Sequence, residues 1–233
     1  MIMKSKVTFH ALQLAALALL LSMSMTSCSS DSDDDDDEDE DEVYVVEDGD
    51  LDGVEYIDGY AAADLGLSVK WASCNIGAES PEDYGDYYAW GETVTKTLYS
   101  TSNSVTYGVT MDDFSGDAEY DAAAAIWGGS WRMPTSDEMG ELVDDCTWQW
   151  ASLNDVYGYL VTGDNGNSIF FPFSGYRSGT TLSSKGSYGF SWTSTPDETY
   201  TDDAYSLFMD CDSCGLSSYN YRLIGRTVRP VSE

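Results

Sequence analysis

The 233 residues carry 42 Asp and Glu against 10 Lys and Arg, a net charge of −32 with a pI near 4.1. So negative a surface repels phosphate backbones and anionic headgroups, which excludes DNA and RNA as partners. The single histidine, His10, lies in an apolar N-terminal stretch; without that leader the chain has none, so histidine triads and histidine-ligated metal centres are excluded, and neither metal nor cofactor is expected.

The chain begins with Lys4 and Lys6, followed by an apolar run from Phe9 to Leu21. At roughly 13 residues the run falls short of the ~20 a helix needs to span a bilayer and has the form of an export signal. Met25-Thr26-Ser27-Cys28 follows. Small residues ahead of a cysteine resemble the lipobox of bacterial lipoproteins. The resemblance implies removal of residues 1–27, acylation of Cys28 and a lipid anchor in the outer membrane; ordinary secretion with a free Cys28 is the alternative. Residues 31–42 hold 11 acids. Such a run cannot bury apolar area and stays extended. Directly after the lipidated cysteine, it resembles the surface-export signal of Bacteroidetes lipoproteins, which implies the outer face of that membrane. A loose calcium-binding role has no defined geometry here.

Residues 28–59 read as an acidic tether and linker, with Val43, Val45 and Val46 a candidate short strand, and the folded domain is expected over 60–233. Residues 64–72 read as a turn and strand, and 85–91 as a second, aromatic strand; 94–118 have no period and read as a long loop. The alanine run 122–125 predicts a helix over 120–127, stopped by Gly128-Gly129. Thr135 with Glu138 three residues on forms a capping box, and Met139, Leu142, Val143 and Cys146 supply an i, i+3, i+4, i+7 stripe, so a second helix is expected to end near Cys146. Residues 159–162 and 168–171 flank Asn165-Gly166, a hairpin signal that accounts for the local Asp and Asn residues without calcium. Further strands are expected at 189–194, 204–209 and 227–231. The fold class is therefore α+β: two helices packed on mostly antiparallel short strands and long loops.

Trp127-Gly128-Gly129-Ser130-Trp131-Arg132-Met133-Pro134-Thr135, with Glu138 after it, resembles the signature of the Fibrobacter succinogenes major paralogous domain. So do, in order, residues 64–77, residues 81–92 and Val228-Arg229-Pro230-Val231. The resemblance covers about residues 60–233. It implies a C-type-lectin-like fold, related to the formylglycine-generating enzyme fold, among largely uncharacterised surface lipoproteins. The signature reads as structural: two glycines make a sharp turn, Trp131 anchors the core, and Arg132 pairs with a carboxylate or stacks on a ring. Glu138 is the candidate partner, though the cap competes for it.

Four cysteines remain after Cys28. In an exported chain they favour disulfides, and of three pairings Cys211–Cys214 with Cys74–Cys146 is preferred; the alternative leaves Cys74 and Cys146 buried and reduced. The Cys211–Cys214 spacing is redox-like, but neighbouring Asp residues weaken a thiolate, and a single CxxC does not make a zinc site.

No nucleophile–base pair is visible, and among 42 acids any carboxylate pair is uninformative. Residues 186–222, rich in Tyr, Ser, Gly and Asp, have the composition of a binding surface. The candidate ligand face is Tyr188, Trp192, Tyr205, Asp210, Asp212, Tyr219 and Tyr221, with burial of alternate residues (Phe190, Trp192, Tyr205, Leu207) as the competing outcome. The expected function is a non-catalytic, surface-exposed lipoprotein that binds a glycan or protein ligand; a surface enzyme or enzyme accessory on the same fold is the alternative.

Overall fold

Both helices form beside the residues expected to cap and stop them. The computed structural model describes residues 43–47, 49–51 and 53–233; the leader, Cys28 and the acidic run lie outside the described residues. Helix α1 (Ala122–Ile126) starts later than the alanine run suggested, because Asp121 is its N-cap and its carboxylate accepts from the amides of Ala123 and Ala124. Gly128 and Gly129 then turn the chain with φ of 67° and 61°. The positive φ at Gly129 favours glycine there, and the Asp58 carboxylate lies close enough that a Cβ would have to push it aside. Helix α2 (Ser136–Asp145) carries the expected capping box on Thr135 and Glu138, and buries Met139 and Leu142.

The strands are β1 (Tyr44–Val45), β2 (Val54–Ile57), β3 (Tyr60–Ala63), β4 (Lys70–Ala72), β5 (Thr147–Leu153), β6 (Val156–Thr162), β7 (Ser168–Pro172), β8 (Tyr176–Ser178), β9 (Thr181–Ser183), β10 (Gly189–Pro196), β11 (Ala204–Met209), β12 (Cys214–Ser217) and β13 (Val231–Ser232). They form sheets in the orders β1-β5-β6-β7, β13-β4-β3-β2, β10-β11-β12 and β8-β9. Every pairing is antiparallel except β1 with β5. Among the described residues the architecture is thus α+β, with two helices among short, mostly antiparallel strands. Among the described residues no helix is long and apolar enough to cross a membrane.

Three sequence expectations change. The segment 43–57, read as the end of a linker with a candidate short strand at Val43–Val46, forms that strand as β1 and adds β2, and Val46 is buried with Leu160 and Phe170. Residues 85–91 make no strand. Instead the amides of Tyr88 and Trp90 donate to the carbonyls of Arg226 and Arg222, each at 2.8 Å, laying this segment along the C-terminal chain. The strand expected over 227–231 is reduced to β13, with Thr227 held by a bridge to Ser191. The 159–171 hairpin forms as expected. Its Asn165 and Asn167 amides donate to the Asp64 carbonyl at 2.7 and 2.8 Å, so these residues serve to hold the 64–66 turn.

The main core gathers Met139 and Leu142 of α2, Val161 and Phe171 of the β6–β7 hairpin, Trp71, and Leu207 and Met209 of β11. The signature motif builds a smaller core, where Trp131 packs with Ala62 and Ala72 and donates Nε1–H to Ile57 O at 3.0 Å. Arg132 forks onto both oxygens of Glu138 at 2.8 and 2.6 Å, and Glu138 Oε2 also accepts from the Thr135 amide at 2.8 Å. Salt bridge and cap share one carboxylate.

Candidate ligand-binding face

Strands β10, β11 and β12 set the geometry. Their register places Phe190, Phe208 and Gly215 in one row and Trp192, Ser206 and Ser217 in the next. Side chains alternate along a strand, so these six share one face. Leu207 and Met209 point the other way, into the main core. On the first face the Phe190 and Phe208 rings lie 5.6 Å apart, and Tyr188 stands 5.8 Å from Phe208. Phe190, Phe208, Ser213, Gly215, Ser217 and Asn220 help to line a groove of about 320 Å³, within the size range of small-molecule sites. It combines an aromatic floor with hydroxyl and amide groups at its edge.

Beside the groove, three loops meet at one pole. Arg222, 1 % exposed, ties them together. Its Nε–H donates to Asp203 O at 2.9 Å, and its NH1 group donates to Val109 O at 2.7 Å and Thr106 O at 3.3 Å. Gly108 adds a bond to Thr201 O at 3.1 Å. On this frame the Tyr107 and Tyr221 rings sit edge to face at 6.3 Å, and Tyr200 and Tyr219 lie 6.2 Å apart. Tyr219, Tyr221 and Tyr200 are 76 %, 56 % and 50 % exposed. The Tyr107 hydroxyl donates to Asp202 Oδ2 at 3.2 Å; its own burial and then that bond push the phenol pKa up, so it remains a protonated donor.

The structure divides the expected ligand face. Tyr219 and Tyr221 come together at the pole, and Tyr188 joins the groove side. Trp192 does not belong to the face: it is 0 % exposed, donates Nε1–H to Tyr88 O at 3.0 Å, and is covered by the Arg226 guanidinium 4.6 Å away. Tyr205 lies on the same side of β11 as Leu207 and is half-buried there. Asp210 is spent on its own turn, accepting from the Ser213 and Asp212 amides at 2.8 and 3.0 Å, while Asp212 is exposed beside it.

Neither expected disulfide pair forms, since Cys74, Cys146 and Cys214 carry free thiols. Cys214 is the register partner of Met209 and packs with it against the main core, whereas Cys211 lies in the turn that Asp210 closes. Burial, followed by nearby Asp and Glu, pushes the Cys146 thiol up to about 11; burial and then Asp210 do the same for Cys214. Thiols of this kind are poor nucleophiles at neutral pH.

Sequence reasoning missed Tyr107, Phe208, Asn220 and Arg222. Phe208 was within reach, because pairing 189–194 with 204–209 as a hairpin sets it opposite Phe190. Tyr107 lies in an aperiodic loop that announces nothing. Nor does the sequence show that Arg222, Arg226 and Arg229 are buried against rings: Trp90 at 4.2 Å, Phe190 at 4.4 Å and Phe171 at 4.3 Å respectively. No family model, no functionally described protein and no solved structure matches this chain.

Proposed function

We propose that this chain is a non-catalytic recognition module, built on a C-type-lectin-like fold of the Fibrobacter succinogenes major paralogous type. It is held at the outer face of the outer membrane by an acylated Cys28 and binds a glycan or protein ligand. One observation carries the reading: four tyrosines from three separate loops are held on a frame fastened by a buried arginine, next to an aromatic groove. Exposed rings contribute nothing to the core, and fixing them in advance lowers the entropy lost on binding. The lipobox-like Cys28 and the acidic run after it support the placement.

The test has two arms. Cells expressing the full chain are labelled with palmitate and shaved with protease; label in the protein and loss of it from intact cells are expected, and protection from protease would refute the surface placement. The detergent-solubilised full chain is also passed over arrays of glycans and of surface proteins. Binding without turnover, weakened by Tyr219→Ser and Tyr221→Ser, is expected; product formation would favour the enzyme alternative.

A further inference from the structure

The charge at the tyrosine pole is one-sided. The loop 197–203 that carries Tyr200 contains Asp197, Glu198, Asp202 and Asp203 and neither Lys nor Arg. The flanking cations are already engaged. Lys96 pairs with Glu92 at 2.6 Å, and Arg222 is buried on backbone carbonyls. Asp202 sits within hydrogen-bond reach of Tyr107, and Asp197 closes the turn before Tyr200 by accepting from its amide at 2.7 Å. Asp203, bridged by its backbone to Tyr221, is 8 % exposed, and its Oδ1 has no hydrogen-bond partner among the described residues. Burial first, then Asp202 and Asp197, hold the Asp203 carboxyl above its ordinary range. Carboxylates therefore stand in the same loop as Tyr200 and next to the backbone of Tyr221.

Three classes of ligand respond differently to such a surface. An anionic ligand meets repulsion from every side. A neutral one stacks on the rings but gains nothing from the carboxylates. A cationic one gains from both, because a ring face attracts a cation and nearby acids deepen that attraction. The shape decides between a small cation and a chain. Tyr200, Tyr219 and Tyr221 are 50 % to 76 % exposed, Tyr200 beside Tyr219 at 6.2 Å and Tyr221 beside the half-buried Tyr107 at 6.3 Å; so open an arrangement does not enclose a single ammonium group but offers successive platforms along a surface.

We propose that the tyrosine pole docks a lysine- or arginine-rich polypeptide segment, its cationic side chains lying over Tyr200, Tyr219 and Tyr221 with Asp202 and Asp197 as counter-charges. This rests on the recognition reading above and names the class of ligand.

The acidic run at 31–42 would attract any polycation, so the test must separate the two. Fluorescein-labelled oligolysine is titrated into the detergent-solubilised full chain in which the acids of 31–42 are replaced by Asn and Gln. Oligoglutamate and a neutral oligosaccharide serve as comparison probes. Oligolysine is expected to bind, to weaken as salt rises, and to lose about tenfold in affinity on combined Tyr200→Ser, Tyr219→Ser and Tyr221→Ser substitution. These rings are exposed, so an unchanged urea midpoint confirms that the variant folds; Asp202→Asn, which leaves the rings in place, gives a second reading in the same direction. Oligolysine binding that ignores both changes would overturn the proposal. Tyrosine-dependent binding of the oligosaccharide, indifferent to salt and without oligolysine binding, would overturn it while leaving the recognition reading intact. If neither these probes nor the arrays engage the pole, both fall.

Discussion

The guanidinium of Arg222 lies 4.2 Å from the centre of the Trp90 ring, and the Trp90 amide donates back to the Arg222 carbonyl at 2.8 Å. The pair joins the interior to the tyrosine pole, because the same guanidinium bonds the carbonyls of Asp203, Thr106 and Val109. Lysine would keep the charge but lose the planar fork and leave buried carbonyls unpaired. Arg222→Lys is expected to cost about 2–4 kcal/mol, read as a fall in the urea midpoint. Amide exchange should quicken first at Gly108, whose bond to Thr201 depends on that frame, and last in α2. Uniform quickening across the chain would show that Arg222 has no special hold on the pole.

At the signature motif one carboxylate does two jobs. Burial alone would raise the Glu138 pKa, but the Arg132 fork and the Thr135 amide outweigh it and hold the carboxyl below its ordinary 4.5. A depressed acid stabilises the fold above its unfolded pKa, and that stabilisation is lost as pH falls through the folded value. Glu138→Gln should therefore cost about 2 kcal/mol near neutral pH, with the gap to the native chain narrowing as the pH drops below about 4. Urea titrations of both proteins at the two pH values give the comparison. An equal gap at each would mean that charge contributes nothing at this site.

How far the fold could be read from sequence follows the range of the forces involved. Capping is local, so Thr135, Glu138 and the Met139–Leu142 stripe located α2 within a residue. Hairpins are nearly local, and Asn165-Gly166 set β6 against β7. Strands fixed by distant partners were harder: Tyr87 to Trp90 looked like a strand, yet its partners lie at Arg222 and Arg226, over 130 residues away. The ligand face failed for the same reason. Composition marked 186–222 as aromatic, but Phe190 and Trp192 share one face of β10, and only the distant segment around Tyr88 and Trp90, packed over Trp192, buries it while Phe190 lines the groove. Cysteine pairing misled because spacing says nothing of direction, and Cys214 points with Met209 into the core.

Alkaline pH should loosen this protein through groups that the fold keeps neutral. Burial is the leading cause that pushes Cys146 and Cys214 from 9.0 to about 11, and Tyr87 and Tyr159 from 10.0 to about 12. Each is an acid whose folded pKa exceeds its unfolded one. Between the two values the native state binds more protons, so stability falls as pH rises. The urea midpoint is expected to be flat up to about pH 8 and to decline steadily above about pH 9. In native protein near pH 8, brief treatment with iodoacetamide should leave Cys74, Cys146 and Cys214 unmodified, with labelling only after denaturant is added. Rapid alkylation of any of the three would contradict its partial burial and raised pKa.

Asp121 makes the sharpest mutational test, because a conservative change there should behave like a drastic one. The side chain is 0 % exposed. One oxygen accepts from the amides of Ala123 and Ala124 at 2.8 and 3.0 Å, capping α1; the other accepts from Gly116 and Met133, each at 2.8 Å. A single carboxylate thus joins a loop, a helix start and the chain leaving the signature turn. Asparagine can supply only one of the two acceptor oxygens, and its NH₂ would face two N–H donors in a fully buried site. Asp121→Asn and Asp121→Ala are therefore expected to destabilise by a similar amount, about 3 kcal/mol each. Asp137→Asn, on the exposed first turn of α2, should cost no more than about 0.5 kcal/mol. Thermal melts of the three variants against the native chain decide the matter. If Asp121→Asn melted with the native protein, the four amides would have to be served by something other than the second carboxylate oxygen.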